Sequence, residues 1–185
     1  MPDEPRLRHN PLIDPRALEQ LHDQCFSWAL TCTRGRRDEA EDVLQMTYLA
    51  IVEGRARFRG ASSLRTWLFA VIRNHARSRW RRARQSLRTA VRLASFASPE
   101  PSIADAGSLA DYQRGQDSAR IVAAWRSLPA RQREVLDLVF YRDLPLSEAA
   151  EVLGVALGTA RMHYERGKAA LRRQLVHQDQ EPAHG

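Results

Sequence analysis

Apolar side chains recur along most of the chain at spacings of three and four residues, the signature of helices with one face turned to a core. No segment reads as a strand, and no internal repeat is visible. The first periodic segment spans about Asp14 to Thr33. Asp14 stands where an N-cap belongs, Pro15 follows at the first helical position, and Arg34-Gly35 ends the pattern. A second helix is predicted from about Asp38 to Glu53, with Ala40, Leu44, Thr47, Tyr48 and Ile51 turned inward and Gly54 closing it. A third begins near Ser63 and runs to about Arg84, its apolar stripe being Leu64, Trp67, Leu68, Val71, Ile72 and His75. The stretch SFASPEPSIADAGSLAD, residues 95–111, is rich in Ser, Ala and Pro and has no period, so it reads as a linker. Helical spacing resumes from about Tyr112 to Leu175, broken at Pro129, at Asp143 to Pro145 and at Gly154. The pattern predicts an all-α chain of two small helical domains, 14–94 and 116–175, joined by a flexible linker over 95–115, with tails at 1–13 and 176–185.

Charge is sharply segregated on this framework. Residues 38–53 hold five acids and no base, while residues 54–99 hold twelve arginines and no acid. The acids cluster in the first turn of their helix, where they complement its dipole. The opposite face of that helix carries Asp42, Gln45, Met46, Leu49 and Glu53. Apolar Met46 and Leu49 among acids and an amide suit a partner-binding surface; cover by another helix of the same domain is the alternative. The third helix turns Thr66, Arg73, Asn74, Arg77, Trp80 and Arg81 away from its apolar stripe, beside a basic loop containing Arg59 and Ser62. Arginines grip phosphates, aromatics stack on bases and amides read base edges, a combination suited to melted DNA.

The segment LSEAAEVLGVALGTARMHYERGKAALRRQL, Leu146 to Leu175, interrupts its helical pattern at Gly154 and restarts within a few residues. Ser147 is the expected cap of a short first helix, and Gly154 supplies a turn tolerant of positive φ. Ala150 is small enough for close crossing, Val155 and Leu157 are expected to plug the turn, and Thr159 is the candidate cap of the second helix. This is helix-turn-helix spacing, in which the second helix enters the major groove by its N-terminal end. Ala160, Tyr164, Gly167 and Leu171 share a core-facing side, whereas Gly158, Arg161, Met162, Glu165 and Arg166 lie opposite or flanking. Arg161 and Arg166 can meet guanine edges or phosphates, and Glu165 can accept from a cytosine amino group.

Composition narrows the classes. Net charge is +7, pointing to a polyanionic partner. Mean hydropathy is −0.50, and no apolar run approaches a membrane span. The N-terminal MPDEPRLRHNPLIDPRAL has acids and prolines where a signal peptide needs an apolar segment, so a cytoplasmic location is expected. Cys25 and Cys32, seven residues apart on one helical face, are expected to be small core residues rather than a redox pair, and no metal or cofactor is expected. A metal-dependent nuclease built on Asp38, Glu39, Glu41 and Asp42 is disfavoured, because these acids follow a helix start without converging. A helix-turn-helix regulator binding duplex DNA alone as a dimer is the other alternative, opposed by the long asymmetric tether and the basic stripe in the first domain.

The stretches DEAEDVLQMTYLAIVEGRARFRGASSLRTWLFAVIRNHARSRWRR and LPARQREVLDLVFYRDLPLSEAAEVLGVALGTARMHYERGKAALRR, in this order and separated by the linker, resemble regions 2 and 4 of the extracytoplasmic-function sigma factors, the two-domain group of the bacterial sigma-70 family. The resemblance implies a non-enzymatic subunit that gives core RNA polymerase its choice of promoter. The polymerase-binding face (Asp42, Gln45, Met46, Leu49, Glu53) would dock on the β′ clamp helices, with the β subunit as a further contact. Arg59, Ser62, Arg73, Asn74, Arg77, Trp80 and Arg81 would open and hold the −10 element. Gly158, Thr159, Arg161, Met162, Glu165, Arg166 and Lys168 would contact the −35 duplex. The linker would thread toward the RNA exit path, and an anti-sigma protein is an implied partner. Two departures stand out: His163-Tyr164-Glu165-Arg166-Gly167-Lys168 replaces a denser basic run of the family, and Met46 stands where an acid is common after the glutamine.

Overall fold

The computed structural model describes residues 12–93 and 116–178, so the expected linker and both tails lie largely outside the described residues. All regular structure among the described residues is helical, and the chain divides into two units, Met1–Gly107 and Ser108–Gly185.

The first unit consists of α1 (Pro15–Gln20), α2 (His22–Cys32), α3 (Arg37–Val52) and α4 (Leu64–Leu93). Asp14 caps α1 as expected, accepting from the Arg16 N–H at 2.9 Å. The single helix expected over 14–33 is interrupted at Leu21 into two. α2 ends in a turn whose Arg34 and Gly35 both have positive φ, 59° and 81°, and the Gly35 N–H closes onto the Leu30 carbonyl at 2.8 Å. α4 is capped by Ser63, whose Oγ accepts from the Thr66 N–H at 3.1 Å and lies 2.7 Å from the Thr66 hydroxyl.

α2, α3 and α4 pack on one another around Trp28, Ala29, Val43, Leu44, Ile51, Leu68, Phe69 and Ile72. Each large apolar side chain fully buried in this way contributes about 1.5–3 kcal/mol. Trp28 is wholly buried, yet its indole N–H is satisfied: it donates to the Phe69 carbonyl at 2.9 Å while the two rings pack 5.9 Å apart. That contact turns α4 about its axis relative to the expected stripe. Leu68 and Ile72 are buried as predicted, but Phe69, Thr66, Arg73 and Ala76 join them, while Leu64, Trp67, Val71 and His75 are only half-buried. Phe58, from the loop before α4, covers Trp67 at a ring separation of 5.3 Å. Cys25 is buried and Cys32 half-buried on α2, consistent with small core residues.

The second unit comprises α5 (Gln116–Ser127), α6 (Ala130–Leu136) running into a wider π-turn (Asp137–Tyr141), α7 (Leu146–Leu153) and α8 (Leu157–Gln178). α8 packs against α5, α6 and α7. The breaks fall at Pro129, at 142–145 and at Gly154, as the sequence implies. Where α6 widens, Asp137 and Arg142 form a buried ion pair at 2.7 Å, and Asp143 adopts φ +49° as the chain turns into α7.

Gly154 is left-handed (φ 58°, ψ 44°), and the next N–H, of Val155, reaches back to the Ala150 carbonyl at 3.1 Å, the bonding that ends a helix in a tight turn. Two expected caps are absent. α7 starts one residue before Ser147, behind Pro145, and α8 starts at Leu157, so Thr159 lies inside its first turn. Leu157 does not plug the turn, being 45 % exposed; Val155 is half-buried.

Candidate nucleic-acid interface

Three surfaces gather the sequence-predicted residues. On α3, the inward positions Ala40, Leu44, Thr47 and Ile51 are buried together with Val43 and Ala50. Tyr48 is half-buried, its hydroxyl 3.2 Å from His22 Nδ1, and burial, with Cys25 adding to it, pushes the phenol up to about 12, so it stays neutral. The opposite face is outward as expected. Asp42, Gln45 and Glu53 are exposed, Leu49 is 47 % exposed and Met46 is half-buried. Val52, exposed beside Leu49, extends the apolar part of this face and was missed because it flanks the stripe that periodicity picks out. Asp42 pairs with Arg79 of α4 at 2.9 Å, and Glu53 pairs with Arg55.

Those pairings also bear on metal chemistry. Glu39 is bound by Arg36 at 2.8 Å and Glu41 by Arg37 at 3.0 Å, so three of the four consecutive acids are already occupied by guanidiniums. No group of His, Cys, Asp or Glu among the described residues is placed to hold a metal ion.

On α4 and the loop before it, Arg59, Asn74, Arg77 and Arg81 are exposed and Ser62 is half-buried. Arg73 is the exception: at 1 % exposure it is part of the core, so it cannot belong to an exposed DNA-binding face. The rotation of α4 that brings Phe69 onto Trp28 carries residue 73, one turn later, inward with it. Trp80 is also not the open stacking platform expected of it. Its half-buried ring carries the Arg34 and Arg36 guanidiniums at 4.7 and 4.8 Å from the centroid. Arg34 and Arg36 had no place in the sequence-predicted site, because nothing local links a turn at 34–36 to a helix position forty-odd residues later.

On α8 the two sides separate as expected. Ala160 and Gly167 are buried, Tyr164 is half-buried and stacks on Phe140 at 5.7 Å, and Leu171 is half-buried. Gly158, Arg161, Glu165 and Arg166 are exposed, as is Met162 at 40 %; Thr159 and Lys168 are half-buried. Lys168 lies over the Tyr164 ring at 4.7 Å and pairs with Glu165 at 3.4 Å, which partly neutralises that carboxylate. Arg161 and Arg166 make no ion pair among the described residues. Leu157 leaves an exposed apolar side chain at the helix start.

The geometry is therefore two separate helical units, one with an outward apolar and acidic face beside a basic helix, the other with a helix-turn-helix whose second helix presents arginines. Compared with known protein families, residues 17–86 match Sigma-70 region 2 and residues 124–173 match Sigma-70, region 4. The ECF RNA polymerase sigma factor EcfG of Rhodopseudomonas palustris is 30 % identical over 137 residues, 74 % of this chain and 71 % of that protein. SigC of Mycobacterium tuberculosis, also an ECF RNA polymerase sigma factor, is 33 % identical over 133 residues, 71 % of this chain and 68 % of the relative.

The chain belongs to the ECF group of sigma-70 factors.

The fold of this sigma factor is that of RpoE of Bartonella quintana, solved with the anti-sigma factor NepR: the TM-score is 0.66 at 23 % identity, covering 87 % of this chain and 95 % of the other. No described helix is long and apolar enough to cross a membrane.

Proposed function

We propose that this sigma factor divides its work among the three surfaces. The outward face of α3 (Asp42, Gln45, Met46, Leu49, Glu53, with Val52) docks core polymerase on the β′ clamp helices. The loop and exposed side of α4 (Arg59, Ser62, Asn74, Arg77, Arg81) holds the −10 element as it opens. The start of α8 (Gly158, Arg161, Met162, Glu165, Arg166, with Thr159 and Lys168 beside them) meets the −35 element as duplex. The protein performs no chemistry of its own and acts in the cytoplasm, where the polymerase works. An anti-sigma protein is a class of antagonist that would act by covering the same surfaces.

The observation that carries this reading is the outward face of α3. Every other side of that helix is buried against α2 and α4 or solvated by charge, yet Leu49 and Val52 stay exposed beside Asp42 and Gln45. An apolar centre rimmed by polar groups is how a docking surface is built. The matches to both sigma-70 regions, rather than this face, disfavour a stand-alone dimeric regulator.

The test is co-purification with core polymerase. Leu49→Glu and Asp42→Arg are expected to abolish capture of the core enzyme with helicity unchanged. Leu49 is outside the packed core, and an exposed pair such as Asp42–Arg79 is worth only about 0–1 kcal/mol. Retained capture by both variants overturns the assignment.

A further inference from the structure

The arginines of the first unit are not equally neutralised. Arg36, Arg37 and Arg79 each pair with an acid, at 2.8, 3.0 and 2.9 Å. Arg34, Arg77 and Arg81 make no ion pair among the described residues, and all three are exposed. Arg34 lies over the Trp80 ring, and Arg77, three residues before Trp80, falls on the same side of α4.

The turn that delivers Arg34 and Arg36 to Trp80 is built to hold them there. Arg34 takes a left-handed conformation (φ 59°) that a non-glycine residue adopts at a cost in backbone energy. The Thr33 hydroxyl donates to the Ala29 carbonyl at 2.9 Å and reaches the Arg36 carbonyl at 3.1 Å, and Gly35 N–H closes the turn onto Leu30. Arg36 Nε donates to the Thr33 carbonyl at 3.4 Å. The indole face attracts both guanidiniums electrostatically. Arg36 is already paired with Glu39 at 2.8 Å, so the Arg34 guanidinium carries the uncompensated positive charge at this ring and favours an anion above it.

We propose that Arg34, held against the Trp80 ring beside the Glu39-paired Arg36 by the turn between α2 and α3, forms a contact site for the phosphodiester backbone of duplex DNA, with Trp80 as the positioning residue. The inference deepens, and rests on, the reading that the exposed side of α4 faces promoter DNA. A ring that already carries two guanidiniums is not open to a base, so the contact is with phosphate and needs no strand separation. Duplex DNA offers the higher density of such charge, about one per 1.7 Å of axis against one per 3.4 Å for a single strand. Pre-held guanidiniums also lose little side-chain freedom on binding.

The experiment is an anisotropy titration of the full chain with a labelled duplex of about 30 base pairs and arbitrary sequence, over roughly 50–200 mM salt. Arg34→Ala is expected to flatten the slope of log K against log salt by about 0.9, a roughly threefold smaller loss of affinity across that range. Trp80→Ala removes no charge, yet it is expected to flatten the slope by a similar amount, because Arg34 loses its seat; Trp80→Phe is expected to retain it. An unchanged slope for Trp80→Ala with intact helicity overturns the proposal, as does a larger Arg34→Ala effect on the single strand than on the duplex. If Trp80→Ala loses helicity, Arg34→Lys decides: it keeps a cation over the ring and should hold the slope that Arg34→Ala loses, and equal slopes overturn the proposal. Arg77→Ala separates the two readings. A slope change for Arg77→Ala alone sinks this site and leaves the α4 reading standing; no change for either variant sinks the α4 reading as well.

Discussion

Replacing Gly167 by alanine measures how tightly α8, the second helix of the helix-turn-helix, is seated on α6. A Cβ at this position would stand 2.8 Å from Leu136 Cδ1, 3.3 Å from Leu136 Cγ and 3.2 Å from Gln132 Cβ. Carbon atoms attract best at about 3.5–4.0 Å, so all three contacts are compressed. Neither neighbour yields easily: Leu136 is fully buried, and Gln132 Cβ is fixed to the backbone of α6. Overpacking of this kind costs about 1–3 kcal/mol. Against it, exchanging glycine for alanine inside a helix gains about 1 kcal/mol. The expected net is a destabilisation of about 1 kcal/mol, which lowers the Tm of a unit of this size by about 4–8 °C. Gly158→Ala is the control. An added Cβ there meets nothing within 4 Å, so that change should be neutral or stabilising. Urea unfolding followed by far-ultraviolet circular dichroism gives both values. Leu136→Val, which removes the compressed methyl reach, should cost less in the Gly167→Ala background than in the wild type, a coupling expected only for residues in contact. If Gly167→Ala is as stable as the wild type with the same dependence on urea, the close seating of α8 on α6 is wrong.

Two further outcomes follow from buried or half-buried charge. Arg142→Ala removes the guanidinium that the buried Asp137 carboxylate holds at 2.7 Å and is expected to cost about 3–5 kcal/mol, read as a lower urea midpoint, whereas replacing the pair jointly with Leu and Met should cost far less; equal losses would refute the ion-pair argument. Burial, and then Arg55 and Arg82, hold the His75 imidazole below its ordinary 6.5, so the folded first unit resists a proton that the unfolded chain accepts. Stability from this group is complete above 6.5 and declines as pH falls from there through the lowered folded value. The urea midpoint should therefore drop between about pH 7.5 and about pH 5 by less in His75→Gln than in the wild type, and an equal or larger drop would refute the assignment.

Much of the architecture is written in short-range terms, and those parts were legible. Asp14 before Pro15, the acids opening α3, and Gly54 and Gly154 at positive φ act on the backbone within a turn or two, so their effect does not depend on what packs nearby. The outward face of α3 and the exposed Arg161, Met162, Glu165 and Arg166 of α8 followed from period alone, since each helix buries one well-defined side. The two expected caps, Ser147 and Thr159, failed for a related reason: Pro145 and the bonding of Gly154 and Val155 set the helix starts, and a cap residue has no role once the chain is already helical before it.

What only the tertiary structure decided concerns α4, which is gripped by two neighbours. A helix packed on both α2 and α3 buries more than one stripe, and its rotation is set by the fit of particular side chains. Here the Trp28 indole, which needs a carbonyl for its N–H, selects Phe69, and that choice carries Thr66 and Arg73 into the core. Periodicity ranks a residue by its apolarity, so it places a long polar side chain outside unless its partners are known. The same limit hid the Arg34–Trp80–Arg36 cluster. It joins a turn to a helix far along the chain through a ring and two cations, and the attraction exists only once the fold has brought them together.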